Sequence, residues 1–247
     1  MKIITIGDIH GRPIWKKIVA DNPDTDTFIF VGDYFDSFDY SAAEQIYNFK
    51  EIIEFKKANF LKVILLLGNH DVIYFPKTLD LGIEGFNISN LADIQKVLLD
   101  NQQYLQMCYQ ADNYLFTHAG VSETFLKDTY YPDGDNFSQI PAHLNALWKI
   151  SPKDFSFKPG WDKYGNSPNQ SCIWIRPQAL MIYNKKLKKS GLVQIVGHTF
   201  QNQIDIKGKA TGKRYYFIDT LGTSGEYLVI ENNIITSKVI KNEPENL

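Results

Sequence analysis

The feature that most constrains this chain is a pattern met five times: a short apolar run ends in a small residue and hands over to polar chemistry. KIITIG leads to Asp8, FIFVG to Asp33, VILLLG to Asn69, YLFTH to Ala119 and Gly120, and VQIVG to His198. Continuous Ile, Val, Leu and Phe runs bounded by glycine suit strands covered on both faces, as in a sheet flanked by helices. Each strand then delivers its polar residue at its C-terminal end. Open α/β sheets bind their ligands along that edge.

Helices are expected between the runs. Residues 41–58 open with the capping-box spacing Ser41 to Glu44 and carry Ile46, Phe49 and Ile53 on one face. A second helix is expected over 90–107, with Asn90 as N-cap and Leu91, Ile94, Val97 and Leu98 at helical spacing. A third, over 177–190, starts with Pro177 and ends before Gly191, its closing lysines complementing the helix dipole. Residues 130–170 are rich in Pro, Gly, Asn and aromatics, with a helical piece near 138–150. That stretch reads as a loop-rich insertion over the working edge of a single domain spanning 1–247. YYFIDTL and EYLVIENNIITSKVI alternate like antiparallel strands, with a turn at Asn232 and Asn233, and the tail NEPENL is expected to be disordered.

A hydrophobic content of 44% supplies a large interior, and a formal net charge of −2 leaves no overall basic field to capture nucleic acid through its phosphates. The opening MKIITIGD lacks the features of a signal peptide, and no apolar run approaches a membrane span. A cytoplasmic protein without membrane partners is therefore expected. Cys108 and Cys172 are spaced like no metal motif and are expected to be buried free thiols.

Four of the five histidines, His10, His70, His118 and His198, directly follow or terminate the apolar runs, whereas His143 lies outside them. The same strand ends supply Asp8, Asp33 and Asn69. A mixed nitrogen and oxygen donor set suits divalent first-row metals, where thiolates would point to structural zinc.

The blocks GDIHG (7–11), GDYFD (32–36), GNHD (68–71), THAG (117–120) and VGHT (196–199) resemble, in this order, those of calcineurin-like metallophosphoesterases. The similarity is greatest to the phosphoprotein-phosphatase branch and its bacterial and phage relatives, and IDT at 218–220 resembles a further family element. The resemblance implies an α/β fold with a β-sandwich core of mixed sheets, flanking helices and an active site at strand C-terminal ends. It implies two divalent metal ions, manganese, iron or zinc. Asp8 and His10 would bind the first, Asn69, His118 and His198 would complete the second, and Asp33 would bridge them with one oxygen for each. A hydroxide shared by the metals would attack phosphorus, and His70, oriented by Asp36, would protonate the leaving oxygen.

Arg176 resembles the family's second phosphate-binding arginine. The family's other arginine directly follows the aspartate matching Asp36, and here that position is Ser37. Arg12, one of three arginines in the chain, is expected to substitute in part. Asp71 stands where the phosphoprotein phosphatases usually have glutamate, and Asp39 is expected to be a solvated residue leading into the Ser41 cap. Asp219 either supports the metal histidines or caps a turn. Trp148, Trp161, Trp174, Tyr130 and Tyr131 either line a substrate groove or pack the cover down. The implied substrate is phosphorylated, a phosphoprotein ahead of a nucleotide or dinucleoside polyphosphate. A non-catalytic scaffold would show eroded ligand positions, and all six are intact.

Overall fold

Each of the five apolar runs forms a strand, and two parallel blocks of these strands build the molecule. The computed structural model describes residues 1–131, 137–158, 164–182, 184–207 and 215–240; Trp161 and the tail lie outside them. In chain order the elements begin with β1 (Lys2–Ile6), α1 (Trp15–Ala20), β2 (Thr27–Phe30), α2 (Ala42–Ala58), β3 (Val63–Leu66) and α3 (Asn69–Val72). They continue with α4 (Leu91–Asn101), β4 (Leu105–Gln106), β5 (Cys108–Ala111), β6 (Tyr114–Thr117), α5 (Glu123–Asp128) and α6 (Ile140–Ile150). Two short helices follow, α7 (Pro177–Ile182) and α8 (Lys185–Lys189), then β7 (Val193–Val196), β8 (Asp205–Lys207), β9 (Tyr215–Phe217), β10 (Glu226–Glu231) and β11 (Ile234–Val239).

One sheet has the order β11-β10-β1-β2-β3-β4 and the other β5-β6-β7-β9-β8. β1 to β4 pair in parallel, as do β6, β7 and β9, while antiparallel strands occupy the edges. The sheets stack face to face. Ile3, Ile29, Leu66 and Leu228 of the first meet Phe116, Ile195 and Tyr216 of the second in one buried layer. Alternate residues turn outward, so that Ile4, Phe28, Phe30, Val63 and Leu65 pack under Trp15 and Ile18 of α1 and Phe49, Ile52 and Ile53 of α2. This is the expected α/β sandwich of mixed sheets. All five strand C-terminal ends carrying polar residues fall on the same side of it.

α2 starts where its sequence requires. Ser41 Oγ accepts the Glu44 N–H at 3.3 Å and Glu44 Oε2 accepts the Ser41 N–H at 2.7 Å, closing the capping box. Its buried face is rotated from the apolar stripe: Gln45, Asn48 and Lys56 are inside, and Ile46 is only partly buried. Hydrogen bonds account for this. Asn48 accepts the Trp15 indole N–H at 2.9 Å, and Lys56 donates to the Phe60 and Val63 carbonyls at 2.6 Å each.

Two helices depart from expectation. The helix predicted over 90–107 ends at Asn101, because Leu105 and Gln106 pair in parallel with Leu65 and Leu66, and that ladder outweighs the helical periodicity. Asn87 rather than Asn90 supplies the cap, accepting the Asn90 N–H at 3.1 Å through a preceding 3-10 turn. The helix predicted over 177–190 divides into α7 and α8. Buried Asn184 donates its amide to the Leu180 and Val121 carbonyls at 2.7 and 3.2 Å, and accepts the Glu123 N–H at 2.8 Å. Its side chain thus takes the Leu180 carbonyl, which a continued helix would have bonded through the backbone, and ties this point to the segment that opens α5.

The β10–β11 hairpin turns at Asn232 and Asn233, both at positive φ (51° and 62°), as a two-residue turn demands. YYF belongs to the other sheet, paired with β7 and β8, so the two alternating segments lie on opposite sides of the sandwich. Both cysteines are buried free thiols. No helix among the described residues is long and apolar enough to cross a membrane.

Removing the α2 cap gives a local measure of this reading. Ser41→Ala is expected to cost about 1 kcal/mol, seen in urea unfolding as a lower midpoint with an unchanged m-value.

Candidate metal centre

The loops after β1 and β2 are zipped together: the His10 N–H donates to the Asp33 carbonyl at 2.6 Å and the Gly11 N–H to the Tyr34 carbonyl at 3.0 Å. That zipper holds His10 (φ 41°), Asp33 (φ 53°) and Asp36 (φ 62°) in the left-handed region, and His198 (φ 65°) joins them from the loop after β7. Such backbone is uncommon for residues with a Cβ and costs roughly 1–3 kcal/mol at each position. Four strained residues in one cluster aim their side chains inward from two sheets. Glycines make the approach possible. A Cβ on Gly197 would lie 1.8 Å from Asp8 Oδ1, and one on Gly68 would lie 2.0 Å from Asp33 Oδ1.

The six residues expected to hold metal converge. Buried ligand atoms of Asp8, Asp33 and His118 lie within 4.8 Å of one another. Asp33 Oδ2 stands 3.7 Å from His10 Nε2 and 3.3 Å from His118 Nε2. Asn69 Oδ1 is 2.8 Å from both His118 Nε2 and His198 Nδ1. Asp8 is held by the His198 N–H, 2.9 Å from its Oδ2. Asp33 Oδ1 accepts the His70 N–H at 2.9 Å, and its Oδ2 lies between the two imidazoles.

The proton inventory of this cluster is decisive. His10 Nδ1 donates to the Phe35 carbonyl at 2.7 Å, His118 Nδ1 to the Val31 carbonyl at 2.8 Å, and His198 Nε2 to the Trp174 carbonyl at 3.1 Å. A carbonyl only accepts, so each ring carries a proton on its outer nitrogen and turns its other nitrogen inward. Burial pushes the His10 pKa down to about 4, and burial with the Arg176 charge holds His198 well below its ordinary value. Both are neutral at pH 7. Three inward-facing imidazole nitrogens, an amide oxygen and two carboxyl groups thus meet, and burial together with Asp219 and Asp33 pushes the Asp8 carboxyl well above the ordinary carboxylate range. That donor set fits divalent cations.

His70 stands apart. Its Nδ1 is 2.8 Å from Asp36 Oδ2, whose other oxygen accepts the Tyr74 hydroxyl, and the Asn87 N–H in turn donates to Tyr74 at 2.8 Å. Burial opposes the imidazolium, but Asp33 and Asp36 outweigh it and raise His70 to about 9. Burial also pushes Asp36 upward, against its hydrogen bonds from His70 and Tyr74. Two classes of histidine share one pocket, His10 and His198 driven neutral and His70 driven toward its charged form.

The arginines differ in anchorage. Arg176 donates from Nε to the Tyr164 carbonyl at 2.9 Å and from Nη1 to the His198 carbonyl and Thr199 Oγ1 at 3.1 and 3.3 Å. Arg12 is held loosely, by a 3.5 Å bond to the Ile9 carbonyl and a 3.9 Å ion pair with Asp39, an exposed residue as expected though not a solitary one. Its guanidinium lies against Gly222, where a Cβ would stand 2.7 Å from Nη2. Ser37 carries no charge to replace the guanidinium, and its Oγ accepts the Asp39 and Tyr40 N–H groups to close a turn. Asp219 is largely buried, its pKa raised to about 6 by burial and Asp33. His143 keeps away from the centre, 3.0 Å from Thr129 Oγ1 and edge-on to Tyr131. Trp148 packs against Phe75 and Phe155, whereas Trp174 touches both Phe157 and His198.

Sequence reasoning underrated two residues. Fully buried Asp71 accepts the N–H groups of Asp33, Gly68 and Tyr34 at 2.9, 2.8 and 2.8 Å, and so ties the bridging loop to the turn before Asn69. An acid three residues after Gly68, at a helix start, was the available signal. Gln45 accepts the Ser37 N–H at 3.3 Å and donates to the Tyr40 carbonyl at 2.6 Å, pinning the loop beyond Asp36 from α2. No pattern in the sequence marks that role.

A family model described as calcineurin-like phosphoesterase matches residues 1–202, which include all six converging residues. The chain belongs to the calcineurin-like phosphoesterases. It is thus a metallophosphoesterase-family hydrolase, in a family that uses metal ions. Among solved structures, the fold of this phosphoesterase is similar to that of a cold-active protein-tyrosine phosphatase from a psychrophilic Shewanella species. The TM-score is 0.62 at 17% identity, with 97% of this chain and 80% of that one covered. A protein serine/threonine phosphatase from Saccharomyces cerevisiae aligns with a TM-score of 0.56 at 14% identity, over 99% of this chain and 82% of its own. No curated protein matches the chain by sequence.

The brace at Asp71 can be tested apart from the ligands. Asp71→Asn leaves one acceptor oxygen for three donors and is expected to cost about 1–3 kcal/mol in urea unfolding. Calorimetric titration with manganese(II) should also show weakened binding, because the Asp33 loop loses its fastener.

Proposed function

We propose that this phosphoesterase is a phosphomonoesterase resembling the serine/threonine protein phosphatases, with two divalent cations held by Asp8, His10, Asp33, Asn69, His118 and His198. The observation that carries it is the His70–Asp36 pair, 2.8 Å apart, beside a cluster of inward-facing nitrogen and oxygen donors. Cations bound there would neutralise phosphate charge and lower the pKa of a water at the site. The residues do the rest. Hydrolysis joins the oxygen of water to phosphorus and sends the electron pair of the breaking P–O bond to the leaving oxygen, which needs a proton. His70 supplies it, with Asp36 fixing the ring through Nδ1 and leaving Nε2 for the substrate. Arg176, rigidly anchored, receives one edge of the phosphate. Arg12, loosely held and given room by Gly222, stands in for the arginine that Ser37 lacks.

A panel of phosphopeptides, mononucleotides, dinucleoside polyphosphates and cyclic nucleotides, assayed with manganese(II), tests the class. Phosphopeptides are expected to lead; preference for pyrophosphate linkages would overturn the reading. His70→Asn should lower kcat by about 100–10,000-fold while metal content is retained, whereas Asp33→Asn should lose metal. Arg12→Ala should weaken inhibition by phosphate and lower turnover about tenfold or more. Unchanged values for both would remove Arg12 from the site.

A further inference from the structure

Behind Asp36 the chain builds a support from segments outside the blocks that carry the ligands. Fully buried Tyr74, beyond the GNHD block, donates its hydroxyl to Asp36 Oδ1, and the Asn87 N–H donates to the Tyr74 oxygen at 2.8 Å. The Phe86 ring stacks on Tyr74 with centroids 4.7 Å apart and planes 14° from parallel, and Phe35 meets it edge-on at 6.2 Å. Gly85 (φ 84°) closes over the stem of the carboxylate, where a Cβ would stand 3.3 Å from Asp36 Cβ.

The direction of these bonds follows from their donors. A backbone N–H only donates, so the Tyr74 oxygen accepts from Asn87 and its own proton is left for Asp36. Burial and the Asp36 charge push the phenol far above its ordinary range, which keeps that proton in place. Asp36 Oδ1 is thus taken by Tyr74, and Oδ2 is left to His70 Nδ1 at 2.8 Å. A carboxylate held by His70 alone could turn about its side-chain bonds and let the imidazole turn with it. Fastened at one oxygen and confined at its stem, Asp36 presents its other oxygen at a fixed place.

Resting on the reading of His70 as the acid of a phosphomonoesterase, we propose that Tyr74 is a positioning residue for proton delivery. Anchored by Asn87, it fixes Asp36 and through it the ring whose Nε2 serves the departing oxygen. Its contribution scales with the need of that oxygen for a proton. The alkoxide of a serine ester needs the proton in full, whereas a nitrophenolate departs with little help.

The test uses the manganese(II)-loaded protein with a phosphoserine peptide and para-nitrophenyl phosphate. Tyr74→Phe removes one oxygen and keeps the stacked ring. It is expected to lower kcat for the peptide about 10–100-fold, the range for a lost hydrogen bond to a charged group, with manganese content retained and KM within about twofold. For para-nitrophenyl phosphate the loss should be about threefold or less. Added to His70→Asn, Tyr74→Phe should change kcat for the peptide by less than about twofold, because the support has no acid left to position. Equal losses on the two esters, loss of manganese, a full additional loss in the His70→Asn background, or an unchanged kcat would each overturn the inference while leaving phosphomonoesterase activity standing. No turnover of the phosphoserine peptide by the folded, metal-loaded protein would overturn the reading on which it rests.

Discussion

Asp33 is the residue on which the centre depends. Its backbone N–H is held by Asp71, its Oδ1 by the N–H of His70, and its Oδ2 lies between His10 from the first sheet and His118 from the second. Burial opposes its charge, but His118, His70 and His10 hold its pKa well below the ordinary carboxylate range. One carboxylate thus joins two sheet edges and positions the backbone of the proposed acid. A left-handed backbone at Asp33 is tolerable only because these contacts over-determine it.

From that constraint the division of labour among histidines follows. His10, His118 and His198 each give their outer proton to a backbone carbonyl, so their other ring nitrogens face inward. His70 gives its outer nitrogen to a carboxylate instead, which favours the charged ring. The same side chain therefore suits ligation or proton donation according to whether a carbonyl or a carboxylate stands behind it. The two arginines differ in the same spirit, Arg176 fastened to the frame and Arg12 resting in the space left by Gly222.

The stretch GDYFDSFDY concentrates these effects in nine residues. Asp33 joins the sheets, Asp36 holds His70, Ser37 closes a turn, Phe38 reaches solvent and Asp39 meets Arg12. Gln45 of α2 pins this loop, which explains why a polar residue sits on the helix face turned to the core. The capping box that starts α2 is thus part of the support of the site, since it sets where Gln45 falls.

Much of this was legible in the sequence. Five apolar runs ending in glycine or a small residue before polar chemistry determined the strands and the edge at which their polar residues gather, because a buried strand must be apolar and a close approach excludes a Cβ. The Ser41–Glu44 spacing determined the start of α2, a local effect needing no other part of the chain. Only the tertiary structure decided what distant segments do to one another. The helix after Asn90 stops at Asn101 for a parallel ladder with β3, and the one after Pro177 divides because buried Asn184 bonds both to Leu180 and to the stretch 121–123. The sequence left Asp71 as a family marker, and the fold turned it into the fastener of two loops. Tautomers, left-handed ligand backbones and the placing of Tyr74 beside Asp36 likewise depend on partners far along the chain, and no local pattern encodes them.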